Sequence, residues 1–129
     1  MRIDLSDKRV LVTGGNSGLG AAMVRAFAAA GAKVAVNYVE GPERAEALVA
    51  SLIRDGGAAI AVNADVSAPE AVATMFETLD THWGGIDVLV NNAGIDGQRA
   101  PVWETDADAW RKVIDINLGG AFLCAREAL

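Results

Sequence analysis

The stretch Arg9-Val10-Leu11-Val12-Thr13-Gly14-Gly15-Asn16-Ser17-Gly18-Leu19-Gly20 decides the fold. Arg9 to Thr13 is short, apolar and β-branched, and it ends in glycines, the pattern of a buried strand. From Gly18 the period changes: Leu19, Met23, Val24 and Phe27 recur at helical spacing as far as Ala30, and Gly31 follows as a helix stop. A strand therefore hands over to a helix through Gly14-x-x-x-Gly18-x-Gly20. Glycines at such a junction permit positive φ and let a ligand approach the backbone. The start of the helix offers free N–H groups and the positive end of its dipole to an anion. A tight turn without a ligand is the plainer reading of three glycines. Their place between a first strand and its helix is what favours a pyrophosphate, with Gly14, Asn16, Ser17, Gly18, Leu19 and Gly20 as candidate contacts.

Outward from this turn the alternation continues. Lys33 to Asn37 reads as a second strand, and Pro42 suits the first position of a helix that runs to about Asp55 before Gly56-Gly57. Ala58 to Asn63 is a third strand. Ser67 stands as N-cap before Pro69 and Glu70 of a helix reaching about His82, and Ile86 to Asn91 is a fourth strand. A loop of about ten residues leads into a long helix from about Asp106 to the end. The order β-α-β-α-β-α-β-α with near-continuous apolar strands predicts a parallel sheet covered on both faces, wound with right-handed crossovers. The fold class is α/β, a doubly wound sheet holding the first four strands of a three-layer α/β/α sandwich. Residues 1–129 form one domain without internal boundary. The last residues are still periodic and apolar, and the fourth strand would be an open edge, so the expectation is a longer parent protein or another segment that completes the sheet.

Composition excludes several classes. The chain has 129 residues, 52% hydrophobic and 22% charged, which suits a globular domain with a sizeable core. Eleven basic against 17 acidic residues give a net charge of -6, and no Lys/Arg cluster stands out, which argues against nucleic acid. The single cysteine, Cys124, offers neither an internal disulfide nor a metal-ligand pair and points to a reducing, cytoplasmic setting. No apolar run approaches the roughly 20 residues of a bilayer span, and the first residues lack an apolar signal core. His82 reads as a solvated or capping group, Cys124 as a small buried hydrophobe, and Trp83, Trp103 and Trp110 as packing or interface residues. Asp106 and Asp108 suit the first turn of the last helix.

A second motif, Asn91-Asn92-Ala93-Gly94, follows the fourth strand, and ligands of such sheets bind beyond the carboxyl ends of the strands. Alone it would be an ordinary strand-ending turn. Together with Thr13 to Gly20 it resembles the short-chain dehydrogenase/reductase family, and the likeness extends over the whole chain. Asp65-Val66 matches the family's Asp-Val after the third strand, and Asn117, in Val113-Ile114-Asp115-Ile116-Asn117-Leu118, matches its helix asparagine. Val36-Asn37-Tyr38 and Gly120-Ala121-Phe122-Leu123 are similar to the glucose 1-dehydrogenase and 3-oxoacyl-carrier-protein reductase branch.

The resemblance implies a Rossmann-like fold and hydride transfer between a nicotinamide dinucleotide and a small alcohol or carbonyl substrate. It implies that Asp65 and Val66 hold the adenine and that Asn91, Ala93 and Gly94 serve the ribose or nicotinamide. It implies that Asn117 opens its helix and helps hold a water in a proton relay, and that the last helix builds a homo-oligomer. The family's Ser and Tyr-x-x-x-Lys have no match here, since the only tyrosine is Tyr38. The chain alone is therefore expected to be inactive. A non-catalytic dinucleotide-binding or assembly module is the other reading.

Cofactor choice turns on Asn37-Tyr38-Val39-Glu40. Tyr38 stands where an acid would select NAD, and no basic residue replaces it. Arg44 is the nearest cation and is expected to face solvent, while Glu40 would repel a phosphate. Asn37 and Tyr38 can hydrogen-bond a phosphate, which leans the reading to NADP, or to both cofactors, over NAD alone.

Overall fold

The computed structural model describes residues 1–129. Four parallel strands form one sheet: β1 (Arg9–Val12), β2 (Lys33–Tyr38), β3 (Ala59–Asn63) and β4 (Val88–Val90). They are ordered β3-β2-β1-β4, with Val10 beside Val34 on one side and beside Val88 on the other. The chain winds outward from β1 to β3, then crosses back to the far side of β1. The direction of winding thus reverses between β1 and β4, and both β3 and β4 are edges. The helices are α1 (Gly18–Ala29), α2 (Pro42–Arg54), α3 (Pro69–Trp83), α4 (Ala107–Ile114) and α5 (Gly120–Ala128). No helix is long and apolar enough to cross a membrane.

The strands read as continuous apolar runs because both faces are covered, and successive side chains serve opposite layers. Val10, Val12, Val34 and Val36 point to one side and pack with Val24 of α1 and with Leu48 and Leu52 of α2. Leu11 and Ala35 point to the other and pack with Val72, Met75, Phe76 and Leu79 of α3 and with Leu123 and Cys124 of α5. Each fully buried Val or Leu contributes roughly 1.5–3 kcal/mol relative to an exposed one, so these two clusters carry the fold. Burial also pushes the Cys124 thiol up to about 11, so it packs as a hydrophobe. Trp83 packs against the α3 side of the core, while Trp103 and Trp110 are exposed. His82 is exposed on α3, with Nδ1 at 2.9 Å from the Thr78 carbonyl oxygen.

Three expectations need correction. Ser67 is not the N-cap of α3; Ala68 is, and the Ser67 hydroxyl and N–H both donate to Asp65 Oδ1, at 2.7 and 2.9 Å. An aspartate folding back on its own backbone has captured the serine. β4 is shorter than Ile86 to Asn91, because Asp87 is taken by Arg9 and the residues after Val90 turn toward Thr13. The last helix is not continuous. Val102–Glu104 makes a 3₁₀ turn before it, Asp106 caps α4 by accepting from Ala109 N–H, and Asp115–Gly119 is a π-helical turn between α4 and α5.

At the amino end of β1, Arg9 donates to Asp87 through Nε (2.9 Å), Nη2 (3.1 Å) and its backbone N–H (2.9 Å), and through Nη1 to the Trp83 carbonyl (2.9 Å). The Arg9 side chain and N–H hold the Asp87 carboxyl well below the usual carboxylate range. A carboxyl whose folded pKa lies below its unfolded one stabilises the fold above about pH 4 and loses that effect as pH falls further. The urea midpoint of D87N is therefore expected to lie below that of the unaltered protein at pH 7. The gap should narrow as pH is lowered from 5 toward 2; a gap independent of pH would show that the charge on Asp87 does not stabilise the fold.

Candidate functional site

At the carboxyl ends of the strands, where β1 and β4 diverge, the residues after β1, β2, β3 and β4 enclose a cleft of about 630 Å³. This lies within the roughly 300–1,000 Å³ usual for a small-molecule site. One wall is the glycine turn. Gly14 and Gly18 have φ of 59° and 52°. Ser17 precedes α1 in extended conformation without a side-chain cap bond, and the N–H groups of Gly18, Leu19 and Gly20 have no partner in the chain. Three adjacent donors and a helix dipole thus face the cleft. A Cβ at Gly18 would meet nothing within 4 Å, so the backbone there is open to a ligand. A Cβ on Gly20 would collide with the Gly14 carbonyl oxygen and lie 2.6 Å from Asn92 Nδ2. Close packing of helix on turn requires glycine there.

Two buried polar side chains hold this wall in place. The Thr13 hydroxyl accepts the N–H groups of Asn92 and Ala93, both at 3.0 Å, and donates to the Val90 carbonyl at 3.3 Å. Asn92 returns the grip: its Nδ2 donates to the Thr13 and Gly14 carbonyls at 3.0 and 3.1 Å. Asn37 Oδ1 accepts from Gly14 N–H at 3.1 Å, while its Nδ2 donates to the Val62 and Ala64 carbonyls at 3.3 and 3.1 Å. Asn16 Nδ2 donates to the Glu40 and Gly41 carbonyls at 2.7 and 3.1 Å, tying the turn to the loop after β2.

The structure brings together in the cleft Gly14, Asn16, Ser17, Gly18, Leu19, Gly20, Asn37, Asp65, Val66, Ala93 and Gly94. Three expected residues do not line it. Tyr38 lies one position along β2 from Asn37 and is half-buried elsewhere. Asn91 donates to the Ala121 carbonyl of α5 at 3.4 Å. Asn117 sits beside the cleft in the π turn, where its Oδ1 accepts from Ile95 N–H at 2.8 Å and its Nδ2 donates to the Ile95 carbonyl at 2.9 Å. Gly94 leaves room for this pairing, since a Cβ there would stand 3.2 Å from Asn117 Oδ1. The reading of Asn37 as a phosphate ligand is also corrected: both its amide hydrogens and its oxygen are already bonded within the chain.

Sequence reasoning missed other lining residues, among them Asn92, Ile95, Lys112 and Ile116. Asn92 stood inside the quoted motif, and Lys112 and Ile116 share a helix face with a spacing of four, which was the available signal. Arg44 is exposed, as expected, yet it lines the cleft. Its guanidinium folds back over Gly41, within 2.7 Å of where a Cβ would stand, because α2 begins at Pro42 and puts Arg44 in the first turn, beside the strand end.

A family profile for the short chain dehydrogenases matches residues 8–129. The chain belongs to this family. It is 44% identical over 126 residues to a 3beta-hydroxysteroid dehydrogenase of Eggerthella lenta, covering 98% of this chain and 48% of the relative. A 3-oxoacyl-[acyl-carrier-protein] reductase of Synechocystis is 43% identical over 122 residues, 95% and 49% of the two chains. A crystal structure of a short chain dehydrogenase from Burkholderia cenocepacia, in complex with NADP, superposes with a TM-score of 0.91 at 38% identity. It covers 96% of this chain and 50% of that one. The chain spans about half the length of the relatives it matches.

The knot around Thr13 sets an energetic expectation. T13V removes one hydroxyl without changing shape and leaves the part-buried Ala93 N–H without a partner, while the Asn92 N–H keeps only the Val90 carbonyl at 3.0 Å. It should cost about 1–3 kcal/mol in urea unfolding, whereas T13S should cost less. Equal stability of T13V and the unaltered protein would show that the hydroxyl does not hold the two loops together.

Proposed function

We propose that residues 1–129 form the cofactor-binding domain of an NAD(P)-dependent oxidoreductase that interconverts an alcohol and a carbonyl by hydride transfer. The observation that carries this reading is the row of unpartnered N–H groups at the start of α1, facing a cleft that ends at Asp65. The pyrophosphate would lie on the N–H groups from Ser17 to Gly20, the adenine beside Asp65 and Val66, and the nicotinamide toward Ala93, Gly94 and Ile95. A bound nicotinamide supplies the hydride donor or acceptor. This chain's residues bind and orient it. Asn117, fixed on Ile95 within the π turn beside that end of the cleft, is proposed to help hold a water of a proton relay. No residue here matches the family's Ser and Tyr-x-x-x-Lys, so the chain alone is proposed to hold cofactor without turning substrate over, and the domain to work within a longer parent in the cytoplasm.

The preference for NADP, or for both cofactors, rests on Arg44 rather than on Asn37 and Tyr38. Its guanidinium sits over Gly41 at the end of β2, where a ribose 2′-phosphate would arrive, and Glu40 beside it opposes the same charge. NADPH and NADH are both expected to bind, followed by fluorescence titration of the reduced nicotinamide. R44A should weaken NADPH by about tenfold, or roughly 1.4 kcal/mol, and leave NADH nearly unchanged. No binding of either dinucleotide would overturn the proposed function.

The homo-oligomer is proposed to form through the last helical segment. Trp110, Ile114, Leu118 and Phe122 are all exposed and recur every four residues. A spacing of four drifts on a 3.6-residue helix, and the wider π turn at Asp115–Gly119 takes up part of that drift, so the four side chains keep to one stripe. A contiguous exposed apolar stripe of this kind suits a second copy of the same surface. L118E is expected to shift the protein to a smaller species in light scattering; an unchanged mass would place the interface elsewhere.

A further inference from the structure

We infer that Asn37 is a positioning residue that fixes the separation between the phosphate-binding turn and the adenine end of the cleft. The inference rests on the dinucleotide reading above. Asn37 is 2% exposed and grips both ends at once. Toward the turn, its side-chain oxygen takes Gly14 N–H at 3.1 Å and its backbone carbonyl takes Gly15 N–H at 2.8 Å. Toward β3, its amide nitrogen holds the Val62 and Ala64 carbonyls, and Ala64 is the residue directly before Asp65.

No other side chain in the protein bonds to both the glycine turn and the segment leading to Asp65. A ligand that must touch both ends needs the two held at a fixed distance before it arrives, because ordering them on binding would subtract from affinity. A ligand that touches one end has no such need. Asn37 would therefore act through Gly14 and Asp65 without touching the cofactor, and its loss would weaken a whole dinucleotide more than a fragment of one. Only an amide fits the role. A leucine of similar size leaves the Gly14 N–H and the Ala64 carbonyl without these bonds. An aspartate carboxylate accepts from Gly14 but faces the Val62 and Ala64 carbonyls with nothing to donate.

The test compares N37D, N37L and the unaltered protein, each first shown to be folded by circular dichroism, for binding of NADPH and of adenosine, which lacks the phosphate that reaches the turn, by calorimetry. Both variants are expected to bind NADPH about tenfold more weakly while adenosine stays within about twofold. A merely structural role would not separate the two ligands. NADPH and adenosine weakening in step, or neither weakening, would overturn the inference. If neither variant folds, the readout passes to amide exchange in the unaltered protein. There, saturating adenosine, which has no phosphate to touch the turn, should slow exchange at Gly14 severalfold, and unchanged exchange overturns the inference. An unaltered protein that binds neither NADPH nor NADH defeats the cofactor reading itself, and the inference with it, before any variant is made.

Discussion

Where β1 ends, the backbone leaves the sheet while still inside the protein, and every polar group there needs a partner other than water. The two buried polar side chains of the protein, Thr13 and Asn37, both stand at this point. Thr13 uses its full hydrogen-bonding capacity toward the loop after β4, and Asn37 uses both amide hydrogens and its oxygen toward β3 and the glycine turn. No buried side-chain nitrogen or oxygen lacks a partner. A polar network in a low-dielectric interior is favourable only when it is complete, and a complete one permits a single arrangement. The loops after all four strands thus take one relative placement, and that placement is the cleft.

The remainder of the site follows from leaving other groups unsatisfied. The N–H groups of Gly18, Leu19 and Gly20 carry no internal partner, and Ser17 declines the capping bond its residue type commonly makes. Next to a network that satisfies every buried side-chain polar atom, a row of unsatisfied donors at a helix start is what supports the proposed pyrophosphate position. Cleft charge is balanced: Arg44 and Lys112 stand against Glu40 and Asp65. In the proposed reading, affinity for a dinucleotide would rest on directed donors and fixed geometry more than on bulk charge, as suits a chain of net charge -6.

Much of this was legible in the sequence because it depends on short-range pattern. The alternation of apolar strands and periodic helices gave element order and parallel topology, and strand and helix limits such as Lys33, Pro42 and Asn63 fell close to their places. Errors arose where a polar side chain had more than one partner within reach, near or far. Ser67 read as a cap until Asp65 took its hydroxyl, and Asn37 read as a phosphate ligand until Gly14, Val62 and Ala64 took its amide. Arg44 is exposed, as read, and only the fold shows that the first turn of α2 also lies against the cleft.

The sequence by itself determined the winding of the sheet, the position of the glycine turn and the family, since periodicity and contiguous motifs encode these within a few residues of one another. Only the tertiary structure decided which polar residues face a ligand and which hold the frame. That distinction depends on partners 22 to 80 positions away, such as Ile95 for Asn117 and Ala93 for Thr13. An asparagine has the same donors and acceptor in either role, and the fold alone settles whether they are already used.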